Sequence, residues 1–212
     1  MDTILPTMNV DEAMALLEGT MSELRDTETR LRICEEQLEE MNKLVFEQSA
    51  TDPLTGLKNR AAFERIMNQQ QARSGRSNAS LALLMVDVDK LHAYNEEFGR
   101  HGGDEVLQQV AQVLKSHARA YDYVVRYEND QFAVVLPDTD IEGAKMVAER
   151  VRSSVKAILW RHRGMTVSIG VAGGSAEAQS DNADRALAGR AIAALAKAKT
   201  IGDCVVQDHS PQ

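Results

Sequence analysis

The sequence predicts an α+β domain preceded by one long helix. Three observations carry this: a helix-forming stretch from Val10 to Ser49 that lacks proline, a strongly apolar run near residues 79–88, and the order of patterns after it. That order is strand, helices, hairpin, helix, strand, helix, strand, which suits helices covering a sheet that contains a hairpin.

The first stretch holds a single glycine and is rich in Glu, Leu, Met and Arg, which favour helix. Asp11 is the expected N-cap. Leu17, Leu24, Leu31, Leu38 and Val45 recur every seven residues, which predicts a parallel dimeric coiled coil. The second stripe is poorer (Met14, Met21, Glu28, Glu35, Asn42). The competing reading is a lone amphipathic helix folded against the domain. Pro53 and Gly56 then stop the helix and force a turn, so the chain divides into a stalk at 1–50 and a domain at 51–212.

Within the domain, Arg60–Ala72 reads as a helix with Phe63, Ile66 and Met67 on one face, and 74–80 as a polar loop. Ala79–Val88 reads as a buried central strand. Helical stretches follow at Lys90–Glu97 and Asp104–His117. Tyr123–Arg126 and Gln131–Leu136 form a hairpin through a polar turn. Then come a helix at Ile141–Leu159, a strand at Thr166–Ala172, a small-residue loop at 173–183, a helix at Asp184–Lys199 and a short strand at Cys204–Gln207.

Composition narrows the function classes. The chain has 212 residues, 43% of them apolar, enough for a core. Aromatic residues make up 4%, too few for a base-stacking surface. The formal charge is −8, and residues 1–50 carry all of it, with 12 acidic against 4 basic side chains. This balance disfavours nucleic acid and anionic membranes as partners. Cys34 and Cys204 are far apart in sequence and match no metal-ligand spacing, so a reducing compartment is expected. The start has no basic segment followed by an apolar one, and Leu81–Val86 is far short of the roughly 20 residues of a membrane span. The expected location is cytoplasmic.

Three clusters carry candidate chemistry. Asp87-Val88-Asp89 ends the central strand, where carboxylates commonly hold Mg²⁺ against a phosphate; the plainer alternative is a strand-end turn with Asp89 capping the next helix. Asn95 and Asp104 together offer the groups that can read a guanine edge. Asp130, in the hairpin turn, can add a second carboxylate to the same metal, or simply belong to a polar tip. The five histidines share no metal-ligand spacing, Trp160 suits packing, and Arg161 and Arg163 suit a solvated surface.

The blocks DPLTGLKNR, VDVDKLHAYNEEFGRHGGDEVL, RAYDYVVRYENDQF, TVSIGVA and ALAKAKTIG, in this order and spacing, resemble the GGDEF domain of diguanylate cyclases over residues 50–207. The resemblance implies a nucleotidyl-cyclase-type, ferredoxin-like fold. It also implies chemistry that joins two GTP molecules into cyclic di-GMP, one GTP on each protomer of a dimer. The literal string Gly102-Gly103-Asp104-Glu105 is not the signature loop; that position falls on the hairpin turn, Glu128-Asn129-Asp130-Gln131-Phe132. Carried over, Asp87, the carbonyl of Val88 and Asp130 are the metal ligands, with Asp87 and Asp130 the catalytic pair. Asn95 and Asp104 contact guanine, and Lys199 contacts the phosphates. Arg119 and Asp122, in Arg-Ala-Tyr-Asp five residues before the turn, match the Arg-x-x-Asp product-inhibition site, with Arg150 its second arginine.

The departures point away from catalysis. Glu128 and Asn129 replace two glycines that admit the nucleotide, Gln131 replaces an acid, His92 a phosphate-binding lysine and Asp203 a phosphate-binding arginine. The resemblance thus implies a cyclic di-GMP signalling module with a degenerate, inactive site, serving as a receptor for cyclic di-GMP or GTP or as an interaction platform. It is expected to be a homodimer through the stalk with an unidentified protein partner, and to take Mg²⁺ if nucleotide is bound and no other cofactor. The alternatives are an active diguanylate cyclase and a purely structural dimer module.

Overall fold

The computed structural model describes residues 10–48, 50–77, 79–174 and 183–208. The chain divides into two units, residues 1–48 and 49–212. The first is a helix, α1 (Val10–Gln48). Asp11 lies inside the described helix and not at an N-cap. Leu24, Leu31 and Leu38 of the seven-residue stripe are about 60% exposed (60%, 63% and 61%).

The second unit contains α2 (Arg60–Ser77), β1 (Leu81–Val88), α3 (Leu91–His117), β2 (Tyr123–Glu128), β3 (Gln131–Pro137), α4 (Ile141–Lys156), β4 (Val167–Gly174), α5 (Ala183–Ile201) and β5 (Val205–Gln207). The five strands lie in the order β2-β3-β1-β4-β5. All pairings are antiparallel except β4 with β5. The first four strands with α3 and α4 make the split β-α-β arrangement of a ferredoxin-like fold.

Alternation along the strands sends side chains to two faces. Ala82, Leu84, Val86 and Val88 of β1 pack with Val106, Val110 and Leu114 of α3 and Val147, Val151 and Val155 of α4. Leu81, Leu83 and Met85 pack with Phe63, Ile66 and Met67 of α2 and Leu187, Ala191 and Leu195 of α5. Burial on both sides is why β1 reads as an unbroken apolar run. Asp87 shares the second face and so points toward α5.

Several boundaries differ from expectation. α2 runs on to Ser77, and the hydroxyl of Ser74 bonds the carbonyl of Ala79 where a loop was expected. The two helical stretches after β1 are present and lie end to end in α3, separated by a non-helical kink at Gly99 (φ 79°, ψ 164°), so the second begins earlier than Asp104; glycine adopts that conformation without strain. α4 stops at Lys156, because Ala157 caps it and the Trp160 indole donates to the carbonyl of Val155. The expected loop lies, for residues 175–182, outside the described residues.

At Gly170 of β4, a Cβ would fall 2.2 Å from the backbone nitrogen of Leu195 and 2.3 Å from the carbonyl oxygen of Ala191. Helix α5 therefore rests directly on the strand. Gly170→Ala should cost about 2 kcal/mol of stability by overpacking, read as a lowered urea midpoint with an unchanged slope.

Candidate functional site

Asp87, the second-last residue of β1, lies opposite Gln131 of β3. Its side chain is 1% exposed, and its Oδ2 accepts from Lys199 Nζ of α5 at 2.8 Å and from Gln131 Nε2 at 3.0 Å. Burial raises the pKa of its carboxyl above the ordinary range; the Lys199 and Gln131 bonds oppose this, and the charge of Asp130 adds to it. The bond to Asp87 raises the pKa of Lys199 despite the cost of its partial burial. The pair thus favours the ammonium, while burial still makes Asp87 easier to protonate.

Asp130 lies one position beyond the register pair, and its carbonyl accepts from the backbone N–H of Val88 at 3.2 Å. The ends of β1 and β3 therefore bring Asp87, Val88 and Asp130 together. Two carboxylates and a carbonyl are hard oxygen donors that suit Mg²⁺. Among the described residues, no cluster of three or more His, Cys, Asp or Glu side chains forms a metal site.

Two arginines hold the hairpin turn. Arg126 of β2 donates to the carbonyl of Asn129 at 2.7 and 3.2 Å and to both carboxylate oxygens of Asp52 at 3.1 and 3.2 Å. Burial opposes the charge on Asp52, but bonds from Thr55 and Arg126 outweigh it and hold the carboxyl below its usual range. Arg60, at the start of α2, pairs with Glu128 and lies 4.8 Å from the centre of the Tyr127 ring. Neither Glu128 nor Asn129 has positive φ. The turn therefore has no conformational need for glycine, and the substitutions act by filling space and adding groups.

Asn95 and Asp104 lie on either side of the α3 kink. A Cβ on Gly103 would fall 1.8 Å from Asn95 Oδ1, so glycine there lets the carboxamide lie against the helix beside Asp104. Asn95 Oδ1 is buried with no hydrogen-bond partner, an acceptor that suits a donor-rich ligand edge. The loop after α4 folds against this segment: His162 stacks on Phe98 at 4.6 Å, Arg163 pairs with Glu97 at 3.2 Å and Arg161 with Glu105 at 3.7 Å. The two arginines expected on a solvated surface thus have carboxylate partners.

The structure revises two electrostatic expectations. Asp203 pairs with Arg152 at 2.8 Å and Lys156 at 2.6 Å, both on α4. Burial opposes its charge, but these bonds hold its carboxyl low. Its charge, like that of Glu128, is therefore offset within the chain. Asp89 does not cap α3: Lys90 holds that position without a side-chain bond. Asp89 instead accepts from Thr166 and Ser168 at 2.7 Å and from the Asp203 N–H at 3.0 Å, tying β4 to the loop before β5. His92 is exposed, 3.3 Å from Glu96.

Arg119 and Asp122 form a turn between α3 and β2. Asp122 Oδ2 accepts from the backbone N–H of Arg119 at 2.7 Å. No ion pair joins the two side chains, so the turn is made without using the guanidinium. Arg150 is one helical turn from Ser154, whose hydroxyl lies 2.8 Å from His117 Nε2. This places Arg150 near the end of α3.

No pattern in the sequence singles out Arg60, Arg126, Arg152 and Lys156, yet each pairs with a carboxylate near the site. The blocks containing Asp52 and Arg126 are both visible, but nothing local joins residues 74 positions apart.

Residues 49–203 match the family described as "Diguanylate cyclase, GGDEF domain". Diguanylate cyclase DgcP of Pseudomonas aeruginosa is 31% identical over 191 residues, covering 90% of this chain and 28% of that protein. The chain spans less than half the length of the first curated relatives it matches, with shares of 28%, 43% and 27%. Diguanylate cyclase SiaD of the same organism, solved in complex with its activator SiaC, is 32% identical with a TM-score of 0.69, covering 93% of this chain and 77% of that one. The coiled coil and GGDEF domain of DgcB from Caulobacter crescentus, solved in complex with cyclic di-GMP, is 26% identical with a TM-score of 0.70, covering 89% and 98%. With the family match extending over most of its length, the chain belongs to the GGDEF-domain family of diguanylate cyclases.

Proposed function

We propose that this chain is a cyclic di-GMP receptor whose degenerate GGDEF domain makes no cyclic di-GMP. The observation that carries the reading is the contrast between its two candidate sites. At Arg119–Asp122 the motif is intact and its guanidinium is not consumed by the motif's own carboxylate. At the hairpin turn, Glu128 and Asn129 stand where the family has glycines, Arg60 pairs with Glu128, and Arg126 ties the Asn129 carbonyl to Asp52.

If a nucleotide is bound at the strand ends, Asp87, Asp130 and the Val88 carbonyl would hold Mg²⁺, which would balance phosphate charge there. Lys199 would then have to leave Asp87 to reach a phosphate. Asn95 and Asp104 would take the guanine edge. Phosphoryl transfer depends chiefly on positioning and charge, and His92 and Asp203 supply no fixed cation. One observation favours a residual cyclase as the second reading: Glu128 and Asp203 are already paired, so they repel a triphosphate less than their formal charges imply.

The chain is further proposed to be a cytoplasmic homodimer that engages a protein partner. Among the described residues, no helix is long and apolar enough to cross a membrane. The exposed Leu24–Leu31–Leu38 stripe supports a parallel pairing of stalks. Replacing Leu24 and Leu31 with Asp should convert a dimer into monomers in light scattering; a wild-type chain that is monomeric at high micromolar concentration would contradict the pairing.

Calorimetry tests the receptor reading. Cyclic di-GMP should bind the full chain with micromolar or better affinity. Absence of binding heat together with an unchanged thermal midpoint would remove the receptor role.

A further inference from the structure

A groove of about 350 Å³ opens beside Arg119, lined in part by Thr51, Lys58, Lys115, Arg119 and Asp122. It lies between the turn that opens the domain and the end of α3, with the buried Leu57 in its wall. Lys115 projects from the last turn of α3 until its ammonium sits 3.9 Å from where a Cβ on Gly56 would be, so it spans the groove toward that turn. Lys58 also lines the groove, its carbonyl fixed by the N–H of Arg126 at 2.8 Å.

The charge here is unbalanced. Residues 51–212 carry equal numbers of acidic and basic side chains, yet this groove gathers three cations and one acid. The acid, Asp122, already accepts the Arg119 N–H. Among the described residues, Lys58, Lys115 and Arg119 take part in none of the ion pairs. Three cationic residues lining one concavity, none of them in an ion pair among the described residues, suit a compact polyanion. Arg150 does not line the groove.

We propose that Lys58 and Lys115 extend the Arg119–Asp122 site into a phosphate-binding groove for a small ligand carrying two phosphate groups. The lysines take the phosphate charge as point cations, Arg119 supplies its planar fork, and Asp122 is left to accept from a base edge. The proposal rests on the receptor reading for its ligand, but its new content is the role of the two lysines. Lys58 is also the residue whose backbone holds Arg126 beside Asp52, so a ligand gripping Lys58 touches the structure that supports the hairpin turn.

The test is calorimetry on the full chain with two probes, cyclic di-GMP and inorganic pyrophosphate, at low and at physiological salt. Both lysines are exposed, so the Lys58→Gln, Lys115→Gln double variant should keep the wild-type unfolding midpoint. It should bind cyclic di-GMP at least about 10-fold more weakly, with a flatter salt dependence, because two screened attractions are gone. It should also lose pyrophosphate binding. Unchanged cyclic di-GMP affinity in the double variant, with loss in Arg119→Ala, would overturn the lysine extension and leave the receptor reading standing. Pyrophosphate binding that depends on the lysines, without cyclic di-GMP binding, would support the groove and remove the receptor reading. No binding of either probe would overturn both.

Discussion

Arg119→Ala is expected to lower cyclic di-GMP affinity by at least about 100-fold, since two charge-assisted hydrogen bonds are each worth about 1.5–3 kcal/mol. The fold should not change. Arg119 is exposed, and the part of it that builds the turn is its backbone N–H, held by Asp122 at 2.7 Å. Arg119→Lys should recover only part of the loss, because an ammonium cannot replace a planar fork. Titration calorimetry reads all three proteins. Full affinity in Arg119→Ala would move the binding site elsewhere.

The second large effect is expected at Arg126. Arg126→Ala should destabilise the domain by about 3 kcal/mol, in the range for breaking a pair with little solvent access. The two side chains are 16% and 12% exposed. The change strands the Asp52 carboxylate and leaves the Asn129 carbonyl without its donor. Replacing both members, Asp52→Asn with Arg126→Met, should cost less than the single change, because no charge is then left unpaired. The bond also predicts a pH dependence. A carboxyl held below its usual pKa stabilises the fold above that usual value, and the contribution fades as pH falls through the lower, folded value. Wild type should therefore lose stability below about pH 4 more steeply than Asp52→Asn in urea titrations. Equal acid sensitivity would show that the pair contributes nothing.

The fold was largely legible because periodicity is a local property. The two-faced burial of β1 explains its unbroken apolar run, and the polar turn between two short apolar segments marks the hairpin. The two helical stretches after β1 were legible but the bounds between them were not, since the structure confines the break to Gly99. At the candidate site, the residues could be found by type and position. Which charges faced each other could not. Asp203 reads as a reversed charge beside a phosphate until the structure shows Arg152 and Lys156 on its carboxylate, from a helix some 50 residues earlier. Glu128 reads likewise until Arg60 appears beside it, 68 residues away. Counting charges along a sequence gives their sum, whereas repulsion depends on the neighbours that long-range packing supplies.

The domain is proposed to bind cyclic di-GMP without making it. The most direct measurement is incubation of purified full chain with GTP and Mg²⁺, followed by chromatographic separation of the nucleotides. No cyclic di-GMP above background is expected. The combination Glu128→Gly, Asn129→Gly, His92→Lys and Asp203→Arg is expected to gain activity if crowding and missing phosphate cations alone were responsible. Cyclic di-GMP formed by the wild-type chain, and lost in Asp130→Ala, would contradict the inactive reading and make this protein a working diguanylate cyclase.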